Sequence, residues 1–421
     1  MTLTKSFDIP KQLVWEAYKR VKANKGAAGV DRVSLTVFEE NLKGNLYKIW
    51  NRMSSGSYMP PAVQQVDIPK KSGGIRQLGV PTVSDRIAQM VVKLLIEPEI
   101  DNCFHTDSYG YRPRKSAHQA IEVTQQRCWR MDWVVEFDIK GAFDNIDHAL
   151  LMKAVRHHVK SKWALLYIER WLQAPMQTTD NILKPRHQGT PQGGVISPLL
   201  MNLFMHYAFD VWLSKTSPNC PFARYADDAV VHCHSRAQAE YLLQAIELRL
   251  RQCKLTMHST KSKIVYCKDS NRRLVYPVTQ FTFLGFTFRP RSAVTKGGEL
   301  FTSFLPAVSN EALKSMRARI KSWRISIKTP ATLEGLSRLY NPVLRGWFQY
   351  YGRFYATQMR KLADYLNLRL GRWARRKYKR LAGHKRKSAQ WLRHVAKSRP
   401  DLFAHWHYFG NQRLDNGSRM I

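Results

Sequence analysis

Tyr225-Ala226-Asp227-Asp228 sets two adjacent carboxylates between short apolar runs, inside Cys220-Pro-Phe-Ala-Arg-Tyr-Ala-Asp-Asp-Ala-Val-Val-His-Cys233. Neighbouring side chains of a continuous strand point to opposite faces, so both acids reach one site only if a tight turn falls here. A plain solvated turn would use the same residue type, because aspartate favours turns. A third acid separates the two readings. Asp138 closes the apolar strand Trp133-Val-Val-Glu-Phe-Asp-Ile139, where an uncompensated charge is costly unless a cation faces it. Carboxylates converging from two strands suit a hard divalent ion, which completes its shell with substrate phosphates. The chemistry this permits is phosphoryl transfer with two such ions. One lowers the pKa of an attacking hydroxyl, and the other stabilises the leaving group.

Between the acids lies Gln188-Gly-Thr-Pro-Gln-Gly-Gly-Val-Ile-Ser-Pro198. Its glycines let backbone approach a ligand closely, and the helix start after them favours anions. Ser197-Pro198 reads as a cap with proline at the first helical position, followed by the stripe Leu200, Leu203, Phe204, Tyr207, Val211. Upstream, Val63 to Ile68 and Ile75 to Val80 read as two strands joined by the basic turn Lys70-Lys-Ser-Gly-Gly74. A helix is expected from Ser84, as its cap, through Leu95, and Asp147 is expected to cap another. Residues 237 to 253 read as an amphipathic helix, and Phe281 to Phe288 as a strand. Residues 1 to about 60 read as helical and basic, with Leu13, Val14, Ala17, Tyr18 and Val21 at helical spacing.

The chain has 421 residues, of which 68 are Lys or Arg and 31 are Asp or Glu, a formal net charge of +37. A surface that positive makes a polyanion, above all nucleic acid, the expected partner. No long uncharged apolar span argues for a membrane. The N-terminus reads neither as a signal nor as a transit peptide. Six scattered cysteines without a Cys-x-x-Cys pair predict reduced, mostly buried thiols in a cytosolic protein. His232-Cys233-His234 is expected to continue the strand after the acidic turn rather than bind metal. From 311 to 400 the character changes, with 24 Lys and Arg against three acids and aromatics at helical spacing, which predicts a separate helical domain.

The ordered motifs resemble those of group II intron-encoded reverse transcriptases, short forms that double as maturases. They are Gly26-Ala-Ala-Gly-Val-Asp31, Ile68-Pro-Lys-Lys71, Arg76-Gln-Leu-Gly-Val-Pro81, Ser108-Tyr-Gly-Tyr-Arg-Pro113, Phe137-Asp-Ile-Lys-Gly-Ala-Phe143, Gly189-Thr-Pro-Gln-Gly-Gly194, Tyr225-Ala-Asp-Asp228, Lys261-Ser-Lys-Ile264 and Phe283-Leu-Gly-Phe286. The resemblance implies an α+β right-hand polymerase fold, with fingers and palm built on antiparallel sheet and helices, then an all-helical thumb/maturase domain. The domains it implies are 1–60 as N-terminal extension and template lid, 61–290 as fingers and palm, 291–385 as thumb/maturase, and 386–421 as a basic DNA/RNA-binding segment.

The same resemblance implies residue roles. Asp138, Asp227 and Asp228 are catalytic acids and hold two Mg²⁺ ions, with Mn²⁺ as a substitute, aided by the Ile139 carbonyl. Lys70, Arg76, Phe143 and Gln192 contact the dNTP, Phe143 as a gate against a 2′-hydroxyl. Arg112, Lys261, Phe283, Leu284 and Gly285 lie near template and primer. Arg372, Arg375, Arg376, Lys379, Lys385, Arg386 and Lys387 form a basic surface for RNA or DNA. Leu339-Tyr-Asn-Pro-Val-Leu-Arg-Gly-Trp-Phe-Gln-Tyr-Tyr351 echoes the maturase domain, with its aromatics read as core.

The implied activity is RNA-directed DNA polymerisation, with binding of group II intron RNA to assist splicing and copying of that RNA into DNA during retrohoming. Partners are the intron RNA, an RNA template with DNA primer, target DNA and dNTPs, with no membrane and with homodimerisation left open. The implied location is the bacterial cytoplasm, on the nucleoid when DNA is bound. Nothing resembling the His-Asn-His endonuclease of longer relatives follows residue 400. Two alternatives stand beside this reading: a domesticated relative in host DNA repair, and a maturase with little polymerase activity. Phe143 and Ala226 speak against an RNA-dependent RNA polymerase.

Overall fold

The computed structural model describes residues 6–69, 74–295 and 297–415, with side chains described through Gly410. It is α+β, as expected, and its contacts divide the chain into two compact units.

The first unit takes residues up to 120, 135–231 and 236–263. Its N-terminal part is helical, over Lys11–Asn24, Leu35–Glu40 and Leu42–Ser54, and Val14, Ala17, Tyr18 and Val21 form the buried stripe of the first helix. The strands Val63–Pro69 and Ile75–Val80 pair antiparallel, from Gln64 opposite Val80 to Pro69 opposite Ile75. The helix after them starts earlier than its sequence suggests. It spans Val83–Cys103, and its cap is Thr82, whose hydroxyl accepts from Asp85 N, rather than Ser84. Thr82 wins because its extended backbone can turn a side-chain oxygen onto the free N–H groups of the first turn.

A four-stranded sheet carries the acids. Its order is Phe222–Tyr225, Asp228–Cys233, Trp133–Phe137, Lys263–Tyr266. Against it packs a helix over Ser197–Met205 that opens into a π-turn at His206–Asp210 before continuing as Val211–Thr216, with Phe209 touching Phe137 and Phe222 of the sheet. Ser197 does not act as a cap; its hydroxyl accepts a 2.7 Å hydrogen bond from Thr190 Oγ1 in the glycine-rich loop. Asp147 does cap its helix, accepting from Leu150 N. The helix predicted over 237–253 spans Arg236–Gln252.

The second unit takes residues 121–134, 232–235 and 264 onward. The segment read as one strand from Phe281 is a hairpin, Phe281–Phe283 and Phe286–Val294, with Leu284 and Gly285 at positive φ in its turn. Leu300–Val308 extends this sheet, so β-structure covers the start of the region expected to be helical from 291. Phe304, Pro306, Ala307 and Val308 are buried and Leu305 is more open, and the segment pairs antiparallel with Phe286–Val294 from Val308 opposite Phe286 to Leu300 opposite Val294. Helices follow over Asn310–Ser322, Leu333–Tyr351, Arg360–Lys377, Lys385–Ser398 and Ala404–Asp415. Tyr340, Leu344 and Phe348 are core, and Trp323 stacks on Tyr340 at 4.3 Å.

Five cysteines are buried and Cys103 is partly so, all as free thiols. His232 is buried in its strand, where loss of hydration pushes its pKa down to about 3 and keeps it neutral. Among the described residues no helix is long and apolar enough to cross a membrane.

Candidate active site

Tyr225 pairs with Asp228 at the end of an antiparallel ladder, which leaves Ala226 and Asp227 as a two-residue turn. Ala226 has φ +58°, the left-handed backbone such hairpin turns require and one that alanine adopts at a cost. Burial raises the pKa of Asp227; a backbone hydrogen bond opposes the rise, and the charge of Asp138 adds to it. Asp228 is pushed up to about 7, first by exclusion of water, then by Asp227, Asp138 and Glu136. Both acids of the turn therefore feel the charge of Asp138. The Asp228 side chain still opens to solvent, so water screens part of that repulsion.

Asp138 sits where its strand ends. Its backbone N–H donates to Ser262 Oγ, and its carbonyl accepts from His258 N. Its carboxylate Oδ2 lies 2.6 Å from Lys261 Nζ. Lys261, expected near template and primer, thus has its ammonium on a candidate catalytic carboxylate. Ile139 is buried and pairs with Met257 in an isolated bridge.

The glycine-rich loop is held to the same region by its backbone. Gly189 N donates to Ile146 O, and Thr190 N to Phe143 O, which ties the loop to the short helix bearing Phe143. Gly189, at φ +77°, has no room for a Cβ, which would lie 2.5 Å from Asp144 O. His148 Nε2 is 2.7 Å from the Gly189 carbonyl, so that nitrogen carries a proton, and burial lowers the ring's pKa. Gly79 N donates to Gln192 O, seating the loop on the Ile75–Val80 strand, and Gln192 Nε2 donates to Asp144 Oδ2. Phe143 and Gln192 are both partly exposed. Arg76 is exposed on its strand, close enough to favour ionised Asp227. Lys70 lies outside the described residues.

Two further sets of residues expected near template and primer make contacts within the protein. Arg112 is turned inward: Nε donates to Asp101 Oδ1 at 2.7 Å, Nη1 to the His105 and Ser108 carbonyls, and Nη2 to Asp101 O. A guanidinium so committed holds its loop together. Phe283 is buried, while Leu284 and Gly285 form a turn braced by Tyr350, whose hydroxyl donates to Leu284 O. Its register in the hairpin puts Phe283 on the core face.

In the second unit, a cleft of about 590 Å³ between Arg360–Lys377 and Lys385–Ser398 is lined by Arg372, Arg375, Lys385, Arg386 and Arg393. Arg372, Lys379, Lys385, Arg386 and Lys387 are basic residues of these helices and the turn between them, and Arg375 donates to Ser388 Oγ. Arg376 lies on the same helix as Arg372.

Sequence reasoning missed the residues that hold the loop and turn. Asp85 is buried and accepts from Tyr58, Trp171 and Gln89; burial raises its pKa, and those donors oppose the rise. Gln89 in turn accepts from Val195 N and Ile196 N of the glycine-rich loop. Arg224 and Asp210 are fully buried partners beneath the acidic turn. A charge inside an otherwise apolar run was the available signal, because burial of such a charge demands a partner.

Among the described residues no three His, Cys, Asp or Glu side chains are gathered closely enough to hold a metal ion by themselves. The donor chemistry nonetheless fits a hard divalent cation: the acids offer only oxygen and repel one another when ionised, and magnesium completes its shell with phosphate and water.

Residues 68–288 match the family model for reverse transcriptase (RNA-dependent DNA polymerase), and residues 313–391 match that of the group II intron maturase-specific domain. Protein YkfC of Escherichia coli K12 is 31% identical over 60% of this chain and 77% of its own length. The group II intron-encoded protein LtrA of Lactococcus lactis subsp. cremoris is 34% identical over 46% of this chain, but the match spans only 32% of LtrA. A solved telomerase of Candida albicans aligns over 89% of this chain and 67% of that one, with TM-score 0.45 and 12% identity.

Proposed function

The chain belongs to the reverse transcriptase (RNA-dependent DNA polymerase) family and carries a group II intron maturase-specific domain, and on that premise we propose that it extends a DNA primer on structured RNA and binds group II intron RNA to assist splicing. The observation that carries the polymerase reading is the two-residue turn that sets Asp227 and Asp228 within electrostatic reach of Asp138. Asp138, Asp227 and Asp228, with the Ile139 carbonyl, would hold two Mg²⁺ ions. Bound there, the ions supply Lewis-acid stabilisation of phosphate charge and ease deprotonation of the primer hydroxyl.

The chain's own residues do the rest. Arg76 presents a fork suited to a phosphate, and Lys70 would add a point charge for the same triphosphate. Phe143, fixed through its carbonyl to Thr190 N, faces the nucleotide sugar and excludes a 2′-hydroxyl. Gln192 lies against the nucleotide, its amide held by Asp144. The rigid attachment of the glycine-rich loop to the Phe143 segment keeps sugar gate and nucleotide platform in register.

Residues 1–60 act as extension and template lid, 61–290 as fingers and palm, 291–385 as thumb and maturase, and the remainder as a basic nucleic-acid surface. Arg372, Arg375, Arg376, Lys379, Lys385, Arg386 and Lys387 track phosphates of intron RNA or target DNA, a role supported by the clustering of four of them along one cleft. On this reading the protein works in the cytoplasm, on the nucleoid when bound to DNA, and copies intron RNA during retrohoming.

The test is primer extension on a structured RNA with dNTPs and Mg²⁺, comparing the wild type with Asp227→Asn. Full-length cDNA from the wild type alone, with intron RNA binding retained by both, supports the reading. A folded, RNA-binding wild type that makes no cDNA leaves a maturase without polymerase.

A further inference from the structure

The acidic turn is held from beneath by a buried clamp. Arg224 Nε and Nη2 donate to the two oxygens of Asp210, at 2.7 and 2.6 Å, and both side chains are fully buried. Its remaining nitrogen, Nη1, donates to the carbonyl of Ala226 at 2.8 Å and to Asn202 Oδ1 at 3.1 Å. Asn202 Nδ2 donates to the carbonyl of Gly110 at 2.6 Å. Gly110 presses on the turn so closely that a Cβ there would lie 2.4 Å from Ala226 N. Ala226 is thus gripped on both sides, and it is the one residue of the turn at positive φ.

Asp210 takes its place from the π-turn. The segment His206–Asp210 interrupts a helix, and a π-turn leaves backbone carbonyls without their usual partners. Here Arg249 supplies them, donating from Nε to Ala208 O and from Nη2 to Tyr207 O. An unbroken α-helix would rotate Asp210 relative to the sheet and carry its carboxylate away from Arg224.

We propose that Arg224, aligned by Asp210 from the π-turn, is a positioning residue that keeps Ala226 left-handed and so keeps Asp227 and Asp228 on one side of the hairpin. The proposal rests on the polymerase reading above. Geometry favours this over a purely structural pair. A pair needed only for packing would leave Nη1 to any neighbour, whereas here it holds the carbonyl of the strained residue next to the acids. Holding such a backbone is the kind of task for which buried, fully hydrogen-bonded charges are retained.

The test compares the wild type with Arg224→Lys and with Asp210→Leu/Arg224→Met, a paired apolar replacement that leaves no lone buried charge. Lysine keeps a charge for Asp210 but lacks the fork that reaches Ala226 at the same time. Primer extension is read as kcat and KM for dNTP, beside thermal unfolding and RNA affinity. The expected result is a kcat about 100-fold lower, with RNA affinity unchanged. Adding Ala226→Gly to either variant should restore about tenfold, because glycine adopts left-handed backbone without the alanine penalty.

A folded variant with wild-type kcat overturns the proposal, as does a loss of kcat that Ala226→Gly does not recover. If neither replacement folds, Asn202→Ser loosens Nη1 without stranding Asp210, and the same two outcomes decide. A wild type that fails to extend a primer would instead fall on the polymerase reading.

Discussion

Lys261 Nζ stands 2.6 Å from Asp138 Oδ2, joining two motifs that lie 123 residues apart in the chain. The ammonium neutralises one charge of the acid cluster and competes with any cation for the same oxygen. The pair is half open to water, so its strength is modest, about 0.2–1 kcal/mol.

Removing this competitor should tighten cation binding. In Lys261→Ala the Mg²⁺ concentration giving half-maximal primer extension is expected to fall by about two- to fivefold. A Mg²⁺ titration of extension rate measures it. An unshifted midpoint would mean that the ammonium does not contend for the Asp138 carboxylate.

Asp228 gives the metal-free protein a pH dependence with a definite sign. Its folded-state pKa, about 7, lies above the ordinary value of 3.8, so the fold favours the protonated form. The resulting stabilisation is fully present below about pH 4 and is lost as pH rises through 7. Chemical unfolding in EDTA should show Asp228→Asn to be more stable than the wild type at about pH 8 and equal to it at about pH 4. Parallel curves for the two proteins across that window would contradict the assignment.

Phe143 sits partly exposed on a segment locked to the glycine-rich loop, so truncating it should open space without moving its support. Phe143→Ala is expected to raise ribonucleotide incorporation relative to dNTP by about tenfold or more, read as the ratio of kcat/KM values. Unchanged sugar selectivity would remove its role as a gate.

The basic cleft should report itself through salt. Replacing Arg372, Lys385 and Arg386 by Gln should lower the slope of log affinity against log salt by about 2. Arg375 is left in place because it supports Ser388. A slope equal to that of the wild type would make the run a merely solvated face.

Much of the site is legible in the chain itself. Asp227 and Asp228 need a turn between apolar strands, and a turn announces itself through its immediate neighbours. The paired strands Val63–Pro69 and Ile75–Val80, the Asp147 cap and the glycines of the loop are likewise local, governed by alternation, capping and backbone freedom. The helix cap falls ahead of Ser84 because Thr82, Ser84 and Asp85 all carry cap-forming oxygens, and only the entering backbone angle selects Thr82. The domain expected to be helical from 291 instead opens on strands, where Phe281, Phe288 and Phe304 pack together across three of them.

Residue type and near neighbours dictate which acids, glycines and cations the chain offers, and in what order. Which charge answers which is settled by packing. The fold turns Arg112 onto Asp101, sets Lys261 against Asp138, and joins Arg224 to Asp210 under the acidic turn. Each Arg or Lys has many acids within reach of an unfolded chain. The packed protein favours one partner over the rest by excluding water from some of those pairs and leaving others open.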